Sequence, residues 1–257
     1  MPLQEEIIAK VLDKRDTLVL MPTGGGKSLC YQLPALRFKG LTLVVSPLIA
    51  LMKDQVDGLR ANGVPAGLLN SALTQEEATL VQDQARQGKI KIFYVAPERL
   101  ALPGFQRFLQ SLDVSLIAID EAHCISEWGH DFRPDYRNLK GLRKDFPGVP
   151  VIALTATATK PVREDIVNQL GLAEPEIFIS SFNRPNLTYT IQPKTEPLGS
   201  LLHLLEKHQG GSAIIYRFSR KLTEETALEL AERGFSALPY HAGLERDVRR
   251  ETQEKFI

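Results

Sequence analysis

Cysteine is almost absent from this chain: Cys30 and Cys124 are the only two among 257 residues. Two cysteines far apart in sequence make neither a disulfide framework nor a self-contained cysteine-rich zinc site, so a reducing compartment is expected. Net charge is missing too. Lys and Arg total 31, as do Asp and Glu, so no global field is available to hold a polyanion, and a nucleic-acid site has to come from local placement of charge. No uninterrupted apolar stretch approaches the roughly 18 residues of a membrane helix. The opening Met1-Pro2-Leu3-Gln4-Glu5-Glu6 lacks the basic-then-apolar layout of a secretory signal. A cytoplasmic location without membrane contact is the expectation. What is present, 43% hydrophobic and 24% charged residues, is the composition of a folded globular chain and excludes the disordered class.

Five short apolar runs recur in the first two-thirds: Thr17 to Met21, Leu41 to Ser46, Ile90 to Ala96, Leu116 to Asp120 and Val151 to Thr155. A shorter piece, Ala66 to Leu69, is a sixth candidate. Helix-compatible stretches such as 50–61, 74–87 and 160–170 lie between them, which predicts an α/β fold with a parallel sheet and helices on both faces. In such a sheet ligands bind beyond the carboxyl ends of the strands. The segments that follow the five runs, including 22–28, 47–48, 97–99, 121–123 and 156–157, are therefore expected along one edge. Pro185, Pro193 and Pro197 mark a boundary, so residues 1–181 are expected to form one domain and 182–257 the first part of a second. Strands are expected there at 187–191, 213–218 and 236–240, with helices at 222–233 and 244–256. The unpaired strand edges of such a fragment predict association or local disorder beyond Ser200.

Gly24-Gly25-Gly26-Lys27-Ser28 sits where a strand gives way to a helix. Glycines let successive backbone N–H groups point at phosphate oxygens, Lys27 reaches the β and γ phosphates, and Ser28 ligates magnesium. An ordinary glycine-rich turn is the alternative. Asp120-Glu121-Ala122-His123 ends another apolar run. At a strand end opposite a phosphate loop, Asp120 is placed to support the metal and Glu121 to orient the attacking water. Directly afterwards come the single tryptophan, Trp128, and then Phe132, Arg133 and Tyr136. Aromatics interleaved with arginine on a loop can stack bases and touch phosphates, although each could equally anchor the loop to the core. Gly129 and Pro134 favour a mobile loop over a helix. His130, His203 and His208 show no metal-ligand spacing, and Arg246, Arg249 and Arg250 lie among acidic residues, as on a solvated helix face.

Met21 stands where the usual phosphate-loop pattern has its first glycine, which favours a helicase-type loop over that of a kinase or small GTPase. Taken together, 21–28, Val45 to Gln55, the Asp120 to His123 segment with its aromatic loop, Leu154 to Ala158, Phe182 to Asn186 and Tyr240 to Leu244 resemble the RecQ family of DNA helicases, in superfamily 2. The resemblance runs over essentially the whole chain. It implies a RecA-like first domain and the start of a second, with ATP and magnesium as cofactors. Single-stranded and partly duplex DNA are the implied partners, with 3′ to 5′ unwinding in repair and recombination; protein partners stay open. By the same resemblance Thr23 joins the nucleotide site, Gln4 looks like the adenine-recognising glutamine, and His123 passes the state of the γ-phosphate to neighbouring segments. The family's later arginines and accessory domains would lie after Ile257, so a nucleotide-binding module that cannot unwind is one alternative. An RNA-remodelling helicase is another.

Overall fold

The structure, a computed structural model, describes residues 3–70, 73–129, 131–181 and 186–256, the Arg246 side chain excepted. Its contacts divide the chain into two compact units, 1–187 and 188–257. The sequence reading puts the boundary at 181/182, and Phe182, Asn183, Arg184 and Pro185 lie outside the described residues.

In the first unit the strands are β1 (Thr17–Leu20), β2 (Leu41–Val45), β3 (Ala66–Leu69), β4 (Ile92–Val95), β5 (Val114–Ile119), β6 (Val151–Thr155) and β7 (Glu176–Ile179). All pairings are parallel, in the order β3-β4-β2-β5-β6-β1-β7. The helices are α1 (Gln4–Leu12), α2 (Leu29–Arg37), α3 (Ile49–Ala61), α4 (Gln75–Arg86), α5 (Pro103–Gln110), α6 (Leu142–Asp145) and α7 (Lys160–Leu170). All six expected strands form. β7 is an addition that the apolar runs did not announce, because Ile177 and Ile179 stay half-exposed at the sheet edge while Phe178 packs inward.

Alternation along the strands splits the core in two. Leu18 and Leu20 of β1 point with Leu43 and Val45 of β2 toward α4, α5 and α7, whereas Val19 and Val44 point toward α1, α2 and α3. Each fully buried Leu, Ile or Phe contributes about 1.5–3 kcal/mol, and neither face is left to water. Local signals agree with this packing. Thr74 and Glu77 form a reciprocal capping box, with Glu77 N donating to Thr74 Oγ1 (3.3 Å) and Thr74 N to Glu77 Oε2 (2.8 Å). Helix α7 stops at Gly171 in the left-handed region, φ 60°. Buried Asp16, just before β1, accepts from the backbone of Val151 (2.9 Å) and Ala173 (2.8 Å) and pairs with Arg143. That carboxylate ties the amino-terminal ends of β1 and β6 to the turn after α7.

The second unit differs from expectation. Helices α8 (Pro197–Lys207), α9 (Arg220–Glu232) and α10 (Arg246–Phe256) form, but among the described residues no strand does. The segments 187–191, 213–218 and 236–240 make no ladder, and Ile191, Ile214, Tyr216 and Phe218 are exposed. Alternating apolar residues hold a strand only when a neighbour takes up the backbone hydrogen bonds and a layer covers one face. Among the described residues no helix is long and apolar enough to cross a membrane.

Candidate active site

The carboxyl edge of the first sheet gathers the chemistry-bearing segments. After β1 the chain turns through Thr23 and Gly24 to enter α2 at Leu29. Gly24 (φ 76°) and Gly26 (φ 77°) take the left-handed backbone that lets the loop curl back. A side chain on Gly26 would run into the Gln4 amide. That amide lies against the loop itself, donating from Nε2 to the carbonyls of Gly26 (3.1 Å) and Gly25 (3.3 Å). Lys27 folds inward, its Nζ donating to the Met21 carbonyl at 3.1 Å. Ser28 stands at the start of α2, its carbonyl accepting from Tyr31 N (3.2 Å) and Gln32 N (2.9 Å).

Two strand positions away in the sheet, across β6, β5 delivers Asp120 and Glu121. At roughly 4.8 Å between neighbouring strands, the two segments leave β1 and β5 about 10 Å apart. Asp120 N donates to Val45 O (2.9 Å), while its carboxylate accepts from Ser46 Oγ (3.3 Å) and Glu121 N (3.0 Å). Burial first, then the neighbouring Glu121 carboxylate, push the Asp120 pKa above the usual carboxyl value. Those hydrogen bonds and the charge of Lys27 offset only part of that rise, so Lys27 and Asp120 share one electrostatic neighbourhood. Glu121 adopts φ 46°, ψ 45°, a left-handed conformation that costs an ordinary residue about 1–2 kcal/mol. The following 3-10 turn, Ala122–Ile125, then buries His123. His123 Nδ1 lies 2.8 Å from Thr155 Oγ1 and 3.3 Å from Glu121 Oε2. Thr155 Oγ1 in turn donates to Thr157 O (3.1 Å). The acidic segment is thus wired to the end of β6, where the threonine-rich run begins.

The aromatic loop divides its residues. Tyr136 turns into the core and donates to Asp120 O (2.9 Å), and Trp128 is 79% exposed. Phe132 is half-buried, with the Arg137 guanidinium 5.1 Å from its ring centroid. Arg133 clamps Asp131 Oδ2 through Nε (3.2 Å) and Nη2 (3.0 Å), and reaches Pro47 O through Nη1 (3.3 Å). A cleft of about 260 Å³ opens here, lined by Pro47, Glu121, His123, Asp131, Arg133 and Thr157. His130 lies outside the described residues.

The DEAD/DEAH box helicase profile matches residues 1–165. The chain belongs to the DEAD/DEAH box helicase family. Over 253 residues it is 50% identical to the ATP-dependent DNA helicase RecQ of Pasteurella multocida, covering 98% of this chain and 40% of that protein. The RecQ of Bacillus subtilis is 44% identical over 256 residues, 99% of this chain and 43% of that one. The chain thus spans about 40% of the length of the curated relatives it matches. The structure of Mycobacterium smegmatis helicase Lhr bound to ssDNA and AMP-PNP superposes with TM-score 0.68 at 22% identity, over 99% of this chain and 38% of that one. That likeness establishes the RecA-like fold of the sheet domain.

Sequence reasoning missed the supports. Ser46 donates to the Asp120 carboxylate from the end of β2. Beneath the glycine loop, Tyr31 and Tyr94 share a hydroxyl contact (3.1 Å), and Gln32 bridges Gln55 (2.8 Å) and Tyr94 (3.3 Å). Ser46 could have been found from its place directly after a buried strand; the tyrosine pair comes from elements 63 positions apart and carries no local signal.

Proposed function

We propose that this chain is the nucleotide-binding portion of a RecQ-type helicase that couples ATP hydrolysis to 3′ to 5′ movement on DNA. The carrying observation is that parallel β1 and β5, separated only by β6, deliver Lys27 and Asp120 to the same carboxyl edge of the sheet. ATP lays its phosphates on the backbone of Thr23 to Gly26 and on Lys27, which leaves the Met21 carbonyl to meet them. Gln4, already seated on the glycine loop, recognises adenine and relays its presence to that loop. The Ser28 hydroxyl and the Asp120 carboxylate form an all-oxygen donor pair that suits magnesium, with the Glu121 carboxylate next in sequence. When bound, magnesium supplies charge neutralisation at the phosphate oxygens. Glu121 orients the attacking water and takes up its proton at the carboxylate. His123, through Thr155, carries the change at Glu121 to the β6 end, and Arg133 carries it to the loop after β2. Trp128 stacks a base of single-stranded DNA, with Phe132 and Arg133 holding the loop and meeting phosphate.

The test is phosphate release by the 257-residue chain with and without single-stranded DNA, beside Lys27→Ala. DNA is expected to raise the rate, and Lys27→Ala to lower it by about 10²-fold or more. Equal rates for the two proteins would overturn the reading. The second unit, strandless among its described residues, supports a narrower reading of this chain: nucleotide binding without duplex separation. Robust unwinding by the 257 residues would overturn that. Competition between matched DNA and RNA strands separates the DNA reading from RNA remodelling.

A further inference from the structure

We propose that His123, Cys124 and Asp131 form a binding site for a zinc-class divalent cation, distinct from the magnesium position at Ser28 and Asp120. One ligand atom from each residue lies within 4.8 Å of the others. Cys124 Sγ is 3.8 Å from His123 Nε2 and 3.7 Å from Asp131 Oδ2. Tetrahedral zinc, with Zn–S near 2.3 Å and Zn–N or Zn–O near 2.0–2.1 Å, places sulfur about 3.5 Å from each partner. The two sulfur distances need close by only a few tenths of an ångström, and the exposed Asp131 carboxylate, within 4.8 Å of the imidazole, turns in to complete the set.

The hydrogen bonding prepares the imidazole for this role. Thr155 Oγ1 spends its own proton on Thr157 O, so in the His123 contact it accepts from Nδ1–H. Glu121 Oε2, 3.3 Å from the same nitrogen, favours the same tautomer. The lone pair of the neutral ring is then on Nε2, the atom that faces Cys124 Sγ. Orientation of a ligating histidine by a hydroxyl or carboxylate behind it is a recurrent feature of metal sites. The cation enters along the 260 Å³ cleft that His123 and Asp131 line, and one coordination position stays open to solvent.

Binding breaks the Cys124 S–H bond, forms a sulfur–metal bond and releases one proton to solvent, with no change of oxidation state. It also draws Asp131 away from Arg133, its present partner. Because the ligands lie on either side of Trp128 in sequence, a bound cation ties the chain across it and restrains the indole. The site is a soft-metal lock on the aromatic loop, and its existence does not depend on the nucleotide reading.

The probe is cobalt(II), titrated into the full chain. One equivalent is expected to give a near-ultraviolet sulfur-to-cobalt charge-transfer band and intense visible bands of a tetrahedral site, both displaced by zinc and not by magnesium. Cys124→Ser should abolish the charge-transfer band and Cys30→Ser should leave it. Asp131→Asn, on a side chain 47% exposed and so safe for folding, should weaken binding about tenfold or more. Zinc should raise the fluorescence anisotropy of the single tryptophan in the wild type and less so in Asp131→Asn. A missing charge-transfer band, or one that survives Cys124→Ser, would overturn the site; an unchanged anisotropy on zinc binding would overturn the lock.

Discussion

The two units of this chain carry similar apolar patterns and reach opposite outcomes. In the first, Leu18 of β1 is 0% exposed, held between β6 and β7 and covered by helices. In the second, Ile191 is 99% and Phe218 100% exposed, on segments with no ladder. Side-chain pattern alone does not make a strand. A backbone hydrogen-bond partner and a covering layer are both needed before the conformational entropy of ordering the segment is offset. The helices of the second unit form regardless, because their hydrogen bonds are internal and their caps local: Ser219 Oγ accepts from Leu222 N (3.2 Å) at the start of α9. Arg250 pairs with Asp247 (3.2 Å) and Glu254 (4.0 Å) along α10, as expected of a solvated face.

The strongest way to sharpen the contrast is to weaken the first unit alone. Asp16→Ala removes the partner of two backbone N–H groups and of Arg143. Breaking a buried pair of this kind costs about 3–5 kcal/mol. Urea melts should show that loss in the transition of the first unit, while amide exchange in α9 stays unchanged. Equal loss in both units would mean that they unfold together. Trp128→Ala comes next. It should lower affinity for single-stranded DNA by about 1–3 kcal/mol, read by fluorescence polarisation of a labelled strand, and leave the melting temperature in place because the indole is exposed. An unchanged affinity would return Trp128 to a surface role.

Much of the first unit was legible. Its strands are buried on both faces and read as continuous apolar runs, and 160–170 matches α7 residue for residue. β7 was not read because its apolar run, Ile177 to Ile179, is only three residues long, and its two isoleucines face outward at the sheet edge. The glycine loop and the acidic segment announce themselves by residue type, so Lys27, Ser28, Asp120 and Glu121 could be named from sequence. Their supports could not: Ser46 meets Asp120 from another strand, and Tyr31 meets Tyr94 across the core. The inward turn of Tyr136 was hidden as well, since its immediate neighbours in sequence are exposed, while its ring joins the core with Leu139 and Leu142 and its hydroxyl reaches the Asp120 carbonyl.

Smaller effects test the balance within the first unit. The folded-state pKa of Asp120 is raised, so in the interval between its unfolded value and that raised value the folded form holds more protons than the unfolded one. Stability of the nucleotide-free protein therefore falls as pH rises through that interval. Asp120→Asn should remove that part of the slope and raise the melting temperature at neutral pH, by about 2–4 °C for each kcal/mol relieved. A melting temperature that drops instead would mean that the carboxylate is a net structural support.

The smallest expected effect bears on the comparison most directly. Phe218 follows the apolar run 213–216 and Arg217, and is wholly exposed. If its ring covers nothing, Phe218→Gln should change stability by no more than about 0.5 kcal/mol, whereas the same substitution at Phe93, buried in β4, should cost about 3–5 kcal/mol or more. Paired urea melts of the two variants give the ratio. A large loss at Phe218 would show that the segment packs in solution, and the contrast between the units would then lie in what covers each sheet rather than in whether a sheet forms.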